Sequence, residues 1–176
     1  MDAEIVTIGT ELLLGHIIDT NAAWLAQQLA ANGLNMYRKT TVGDNEARIA
    51  AALSEAIARV DVVITSGGLG PTVDDKTREA VALATGRTLM LNEDLLASIA
   101  EIFKRRGFSM SDNNRRQAYI PEGSIPIPNP VGTAPCNAGK CRIAARPPAD
   151  DRPPEPRQSR SPLEAGLKPD LRIPAA

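Results

Sequence analysis

Three strand-like runs that alternate with amphipathic segments constrain the fold of this chain most. AEIVTI at residues 3–8, LNMYRKTTV at 34–42 and DVVIT at 61–65 each end within two residues of a glycine. The first and third are rich in β-branched residues, and the continuous VVI shows no polar alternation, which predicts burial on both faces. Such strands are typical of a parallel sheet covered by helices.

Amphipathic helices are predicted between and after these runs. Asp19, Thr20 and Asn21 offer N-cap side chains for the first helix, and Asn32-Gly33 ends it. Three further apolar stripes at helical spacing follow, over residues 49–57, 76–85 and 93–106. Strand and helix in this alternation predict a doubly wound α/β fold with a mostly parallel sheet.

The composition changes near residue 135 and predicts a folded domain, residues 1–135, followed by a disordered tail, residues 136–176. The tail holds eight prolines, six arginines and no aromatic residue. Segments such as RPPADDRPPEPRQSRSP cannot bury enough apolar surface to offset their chain entropy. A proline-rich ligand for small recognition domains is the alternative interpretation.

The charge balance argues against a nucleic-acid or membrane-surface binder. The 176 residues carry a net charge of −1, and residues 1–135 alone carry 12 basic and 16 acidic side chains. No apolar run approaches the roughly 20 residues that span a bilayer, and the amino terminus lacks a basic leader. Cys136 and Cys141 have no second pair or nearby histidine for zinc. We therefore expect a cytoplasmic protein.

Three loops are predicted to meet at the carboxyl edge of the sheet, where open α/β sheets bind ligands: residues 9–21, 43–45 and 67–75. The third, GGLGPTVDD, leads into a helix whose first turn is predicted near Val73. Glycines let backbone N–H groups approach a ligand, and a helix N-terminus favours an anion, so phosphate is the predicted ligand. A tight strand-to-helix turn is the alternative. The candidate phosphate-binding residues of this loop are Gly67, Gly68, Gly70 and Thr72.

Asp74 and Asp75 place two carboxylates beside this loop. Helix capping explains one of them, because the macrodipole favours acids in a first turn. A second use is to hold a divalent cation such as Mg²⁺ or to orient an attacking water. Glu11 and Asp44 lie on the neighbouring loops, and we expect both to join Asp75 as metal ligands.

The first loop, GTELLLGHIIDTN, combines polar residues with apolar ones that belong in a core or an interface. His16 lies within it and is the single histidine of the chain, without a partner signature for a triad. Helix capping by Asp19 or Asn21 explains part of its polarity. The apolar residues are Leu12, Leu13, Leu14, Ile17 and Ile18.

Two later segments offer further ligand contacts. In MSDNNRRQAYIP, Arg116 is a candidate to clamp a phosphate and Asn114 to bind a base or a sugar, while a solvated helix start is the alternative. In NPVGTAP, Gly132 and Thr133 either face the same crevice or form a simple turn.

The ordered set GTELLLGHIIDTNAAWLAQQL, TTVGD, ITSGGLGPTVDDKTREAVA, NNRRQA and NPVGTAP resembles the amino-terminal domain of the CinA family, within the MoaB/Mog-like molybdopterin-binding superfamily. The resemblance covers residues 3–135. It implies a three-layer α/β/α domain that binds a nucleotide or pterin phosphate, and metal-dependent ADP-ribose pyrophosphatase activity with Mg²⁺, Mn²⁺ or Co²⁺.

The resemblance also ranks the acids and adds a residue. The molybdopterin branch carries the motif GGTG-x4-D-x-T-x-EA. Residues 67–80 of this chain resemble it, with Leu69 in place of the first threonine. This implies that Asp75 is the main catalytic or metal-binding acid, that Asp74 is secondary, and that Arg116 stabilises the leaving phosphate. It adds Thr77 to the ligand-binding residues and implies homo-oligomers.

Beyond residue 135 the chain departs from the family pattern. A strand and a loop that should follow NPVGTAP are expected to be missing, and the carboxy-terminal deamidase domain is not recognisable. The abrupt change in composition predicts a reading-frame change or a truncated product. Alternatives to the enzyme are therefore a non-catalytic pterin or nucleotide module and an inactive fragment.

Overall fold

A computed structural model of the chain describes residues 1–127, 129 and 132–139. Up to residue 85 the three long strands and the helices after them follow the alternating order that the sequence predicts, whereas the short strands after residue 88 were not predicted. In chain order the elements are β1 Asp2–Ile8, α1 Thr10–Leu13, α2 Thr20–Ala31, β2 Asn35–Val42, α3 Glu46–Arg59, β3 Val62–Ser66, α4 Thr77–Thr85, β4 Leu89–Leu91, α5 Glu93–Arg105, α6 Asp112–Arg115, a 3-10 turn Arg116–Ala118, β5 Tyr119–Pro121, β6 Ile125–Ile127 and β7 Cys136–Ala138.

A parallel sheet in the order β2-β1-β3 forms the centre of the domain. β1 pairs with β2 on one side and with β3 on the other, so its backbone groups are satisfied along both edges. Ala3 to Ile8 are buried throughout, which confirms the burial predicted for the first run. Val62–Ser66 are only half-buried, so the burial predicted for both faces of the third run is wrong; among the described residues β3 pairs in this sheet with β1 alone.

Helices cover both faces of this sheet. On one face, Ala3 and Ile5 of β1 pack with Ala22 and Leu29 of α2. On the other face, the remaining apolar residues of β1 pack with α3 and α4, in a cluster that contains Val6, Ile8, Ile49, Ala50, Leu53, Ala56 and Ala80. This confirms a three-layer α/β/α arrangement.

Side-chain caps fix where the long helices begin. The Asp19 carboxylate accepts the Ala22 N–H at 3.0 Å, as the sequence predicts for α2. Asn45 and Asn92 accept backbone N–H groups in the same way at the starts of α3 and α5. Because these donors would otherwise be unsatisfied, the caps set the register of each helix on the sheet.

The end of the described chain corrects two predictions. Cys136–Ala138 form β7, which pairs antiparallel with β6, so a strand does follow NPVGTAP and the folded part extends beyond residue 135. The sequence missed it because three residues paired through tertiary contacts carry no periodicity. The rest of the predicted tail, including Cys141, lies outside the described residues. Among those described, no helix is long and apolar enough to span a membrane.

Candidate functional site

The glycine loop between β3 and α4 contains both acids, Asp74 and Asp75. The helix begins at Thr77, which confirms the stripe predicted over residues 76–85 to within one residue, while a first turn near Val73 is wrong. The Asp75 N–H donates to the Thr72 carbonyl at 3.3 Å in a local turn. Because this turn uses backbone groups that a helix would need, the helical ladder starts later.

Two glycines of the loop are required by packing within the chain. Gly67 has φ +102°, and a Cβ there would overlap the carbonyl oxygen of Ile8 on β1. Gly68 has φ +61°, and a Cβ there would overlap the hydroxyl of Thr77. The loop therefore approaches the central strand and the helix more closely than another residue allows. The tight-turn interpretation accounts for Gly67 and Gly68.

The start of α4 holds the inner side of this loop. The Thr77 hydroxyl donates to the Gly67 carbonyl at 2.8 Å, and Thr77 is only 1% exposed. Arg78 is 3% exposed and donates to the carbonyls of Leu69 at 2.8 Å and Gly70 at 3.0 Å. Burial lowers the pKa of the Arg78 guanidinium, against the opposing charges of nearby carboxylates. Thr77 thus supports the loop, and Arg78 is a site residue that the sequence analysis missed.

Asp75 occupies the outer side of the loop. Its Oδ2 atom accepts the Thr72 N–H at 2.9 Å and also the Thr72 hydroxyl. The carboxylate lies so close to Gly70 that a Cβ there would overlap it. Partial burial raises the pKa of Asp75, but hydrogen bonds from Thr72 and the Gly70 N–H and the charge of Arg78 outweigh it and hold the pKa below its usual range. The Asp75 carboxylate of the chain itself thus accepts hydrogen bonds from Thr72, a residue predicted to bind a phosphate.

Asp44 joins the two other loops of this sheet edge. Its Oδ2 atom accepts both the N–H and the hydroxyl of Thr10 at 2.8 Å, and its own N–H donates to the Thr10 hydroxyl at 3.2 Å. The Glu11 carboxylate folds over Gly9, where a Cβ would overlap it. These contacts bring the first two loops together, as the sequence predicts.

The segment around Arg116 packs against the glycine loop and α4. Arg116 donates to Glu79 Oε1 at 3.0 Å, and the amide of the buried Gln117 lies 3.5 Å from the Leu69 carbonyl. Glu79 Oε2 is buried without a hydrogen-bond partner among the described residues. An unsatisfied acceptor costs about 1–3 kcal/mol, so a water or ligand group that donated to it would be stabilised there.

Asn114 is used within its own segment. Its Oδ1 atom accepts the Ser111 hydroxyl at 2.6 Å, and its Nδ2 atom lies 3.4 Å from Gln117 Oε1. These contacts build the short helix α6, so the helix-start alternative explains Asn114. A contact between Asn114 and a base or sugar stays a prediction.

Comparisons with known proteins agree with this architecture. Residues 4–147 match the family described as "Probable molybdopterin binding domain". A competence-damage inducible protein of Alkaliphilus oremlandii is 53% identical over 135 residues, which are 77% of this chain and 33% of that protein. A CinA-like protein of Kosmotoga olearia is 50% identical over 135 residues, which are again 77% of this chain and 33% of that protein. This chain thus spans about one third of the length of these curated relatives.

A solved structure decides the assignment. The protein CinA from Thermoplasma acidophilum, whose function is described as unknown, matches with a TM-score of 0.72 and 38% identity, covering 77% of this chain and 79% of that one. The chain belongs to the CinA family. The resemblance that rested on ordered motifs is confirmed.

The carboxylates of this CinA-family domain do not form a preassembled metal site. Among the described residues, which include every predicted ligand, no three His, Cys, Asp or Glu side chains are grouped so that they could hold an ion. Asp44 already accepts the backbone N–H of Thr10 on the first loop, and Asp75 accepts that of Thr72 on its own loop. Mg²⁺ is commonly held by one or two carboxylates together with substrate phosphates. The residues therefore fit a cation only in company with a phosphorylated ligand.

Gly132 and Thr133 line a different surface of the CinA-family domain. They border a cavity of about 180 Å³ against α5, together with Leu95, Ile99 and Pro126. The glycine loop contributes no lining residue to this cavity. Gly132 donates its N–H to Asn129 Oδ1 at 3.0 Å. A contact of Gly132 or Thr133 with a ligand stays a prediction.

The apolar residues of the first loop are not in the core. Leu13, Leu14, Ile17 and Ile18 are exposed, Ile18 by 87%, and His16 between them is exposed as well. Of the two alternatives, a core position is wrong for these four side chains, since more than half of each is exposed. An interface, and with it the predicted self-association, stays a prediction.

Proposed function

We propose that residues 1–135 bind the phosphates of a nucleotide such as ADP-ribose, or of a pterin, on the outer side of the glycine loop, and hydrolyse the nucleotide's pyrophosphate. The observation that supports this is the position of Asp75. The loop already holds one oxyanion, which accepts two donors of Thr72 and lies against Gly70. A phosphate oxygen is the same kind of acceptor, and it carries more charge.

Binding would exchange one anion for the other. The ligand phosphate takes the Thr72 donors, and the Asp75 carboxylate is released toward the solvent side of the loop. There Asp75, with Glu11 or Asp44, would hold a divalent cation together with the phosphates, and Asp74 is a secondary candidate. Bound Mg²⁺, Mn²⁺ or Co²⁺ would supply charge neutralisation of the pyrophosphate.

The reaction is the addition of water across the pyrophosphate bond. The water oxygen bonds to one phosphorus and the bridging P–O bond breaks, which gives AMP and ribose 5-phosphate from ADP-ribose. Both protons of the water are released to solvent when the two product phosphates are dianions. Arg116, held by Glu79 and one third exposed, is proposed to stabilise charge on the leaving phosphate. The unpaired Oε2 of Glu79 is proposed to accept a hydrogen bond from the attacking water.

The test is a direct assay of AMP formation from ADP-ribose with each of the three cations. Asp75→Ala should lose at least about a hundredfold in kcat/KM if its carboxylate acts at the reacting phosphates. Asp61→Ala is the matched control, since Asp61 also accepts a backbone N–H, that of Asp2 at 2.8 Å, but lies before β3. Equal rates for the wild type and Asp75→Ala would remove Asp75 from the mechanism.

A non-catalytic binding module is the second candidate. It is favoured by the absence of a preassembled carboxylate cluster among the described residues. ADP-ribose would then raise the Tm of the wild type without forming product, because a ligand that binds only the folded state stabilises it by mass action. Product formation that depends on Asp75 would exclude this candidate.

A further inference from the structure

The buried guanidinium of Arg78 stands out among the charged groups of the described residues. Arginine is rarely buried unless its donors are satisfied, since an unpaired buried charge is costly. Arg78 directs two different nitrogens at two successive carbonyls, those of Leu69 and Gly70. The planar fork of a guanidinium suits such a pair of acceptors, whereas an ammonium group is a single point charge.

The geometry of the peptide bond transmits this contact to the outer side of the loop. No cis peptide occurs in the described residues, and in a trans peptide the C=O and the N–H point in opposite directions. The Leu69 carbonyl faces Arg78 on the inner side, so the Gly70 N–H of the same peptide faces outward. There the Asp75 carboxylate lies against Gly70, where an added Cβ would overlap it, and it accepts the Thr72 donors.

We propose that Arg78 is a positioning residue of this site, which fixes the Leu69–Gly70 peptide so that the Gly70 N–H and the Thr72 donors face the bound phosphate. It acts through the loop and touches no ligand itself. The role rests on the proposed function for the identity of the ligand, but its effect on the loop can be measured without any ligand.

Two variants separate the effect of the two-nitrogen geometry of the guanidinium, its fork, from the effect of its positive charge. Arg78→Met removes both, while Arg78→Lys keeps the charge and loses the fork. Arg59→Lys is the matched control, because Arg59 also binds through two nitrogens, at 2.8 Å each, but to the Glu4 carboxylate at the beginning of β1. Each variant is studied at a temperature where the backbone amide signals of β1 match those of the folded wild type.

The first measurement is the backbone amide NMR spectrum without ligand or metal. In both Arg78 variants the Gly70 and Thr72 amide signals should move upfield, because their hydrogen bonds to Asp75 weaken, and Arg59→Lys should leave them unchanged. The second is the KM for ADP-ribose, which should rise roughly tenfold to a hundredfold in both Arg78 variants, as for misplaced binding groups, with a smaller change in kcat.

Three results would overturn the proposal: Gly70 and Thr72 signals that stay in place in a folded Arg78→Met, full rescue of KM by Arg78→Lys, or an equal effect of Arg59→Lys. If Arg78→Met does not fold, Arg78→Lys decides on the same measurements. If the wild type does not hydrolyse ADP-ribose, the proposed function fails, and the amide signals alone decide the role of Arg78.

Discussion

Replacement of Gly67 by alanine tests whether the loop glycines serve the packing of the chain. Gly67 has φ +102°, and an added Cβ would overlap the backbone carbonyl oxygen of Ile8. Ile8 ends the central strand of the sheet and is 2% exposed, so it has little room to move. Gly86 is the matched control, because it also has positive φ, +64°, but a Cβ there meets nothing within 4 Å.

The two alanine variants should differ in one contribution to the loss of unfolding free energy, namely the overlap with the strand. A left-handed conformation costs an alanine about 1–2 kcal/mol, and the stiffer unfolded chain offsets about 0.4–1 kcal/mol of this. Gly86→Ala should therefore lose about 1 kcal/mol. Gly67→Ala carries the same cost plus displacement of a packed strand, which is comparable to overpacking of a core at about 1–3 kcal/mol. We expect a loss of about 2–4 kcal/mol for Gly67→Ala.

Urea unfolding followed by far-ultraviolet circular dichroism measures both variants at 25 °C. Thermal unfolding should show the same order, with a decrease in Tm of roughly 3 °C for each kcal/mol in a domain of this size. Equal losses for Gly67→Ala and Gly86→Ala would refute the packing argument. A ligand contact would then be the better explanation of the glycine at position 67.

Three further predictions concern the core and the sheet edge. Leu53→Ala, at a site 2% exposed, should destabilise the domain by about 2–5 kcal/mol in urea unfolding, and a loss below 1 would contradict the assigned core. The hydrogen bond from Arg59 lowers the pKa of Glu4 more than burial raises it, so this stabilisation is present above the unfolded pKa, about 4.5, and is lost as pH falls through the lower folded value. As the pH is lowered below about 5, the urea concentration at the unfolding midpoint should therefore decrease, and it should decrease less steeply in Glu4→Gln. Parallel curves of midpoint against pH for the two proteins would contradict this. Asp44→Ala should destabilise by about 1–2 kcal/mol, as for a lost cap, and should speed hydrogen exchange at the Thr10 amide, whereas an unchanged amide would show that Asp44 does not join the loops.

The layered fold could be predicted because its determinants are local. The buried run at β1 and the cap at Asp19 are set by short-range physics, namely β-branched packing and hydrogen bonding of an exposed helix end. The three loops at the carboxyl edge follow from the topology. The meeting of the first two loops is confirmed by the contacts between Asp44 and Thr10.

The interior of the site could not be predicted, since it depends on contacts between residues distant in sequence. A charged residue in a helix is normally exposed, so nothing in TREA indicates that Arg78 is buried against Leu69. The inward turn of Asp75 depends on hydrogen bonds from Thr72 to its carboxylate, which no sequence pattern indicates. Gly132 was a candidate to face the same crevice, but it borders a cavity with Leu95 and Ile99 of α5, a contact that no local pattern indicates.

The most direct test of the account is the affinity of ADP-ribose in metal-free buffer, measured by isothermal titration calorimetry. Asp75→Ala frees the Thr72 donors, and a charge-assisted hydrogen bond contributes about 1.5–3 kcal/mol, so binding should tighten by roughly tenfold or more. Asp74→Ala removes the same charge from the same loop without freeing those donors and should tighten binding far less. Affinity that falls in Asp75→Ala, or rises equally in Asp74→Ala, would contradict the claim that Asp75 occupies the phosphate position.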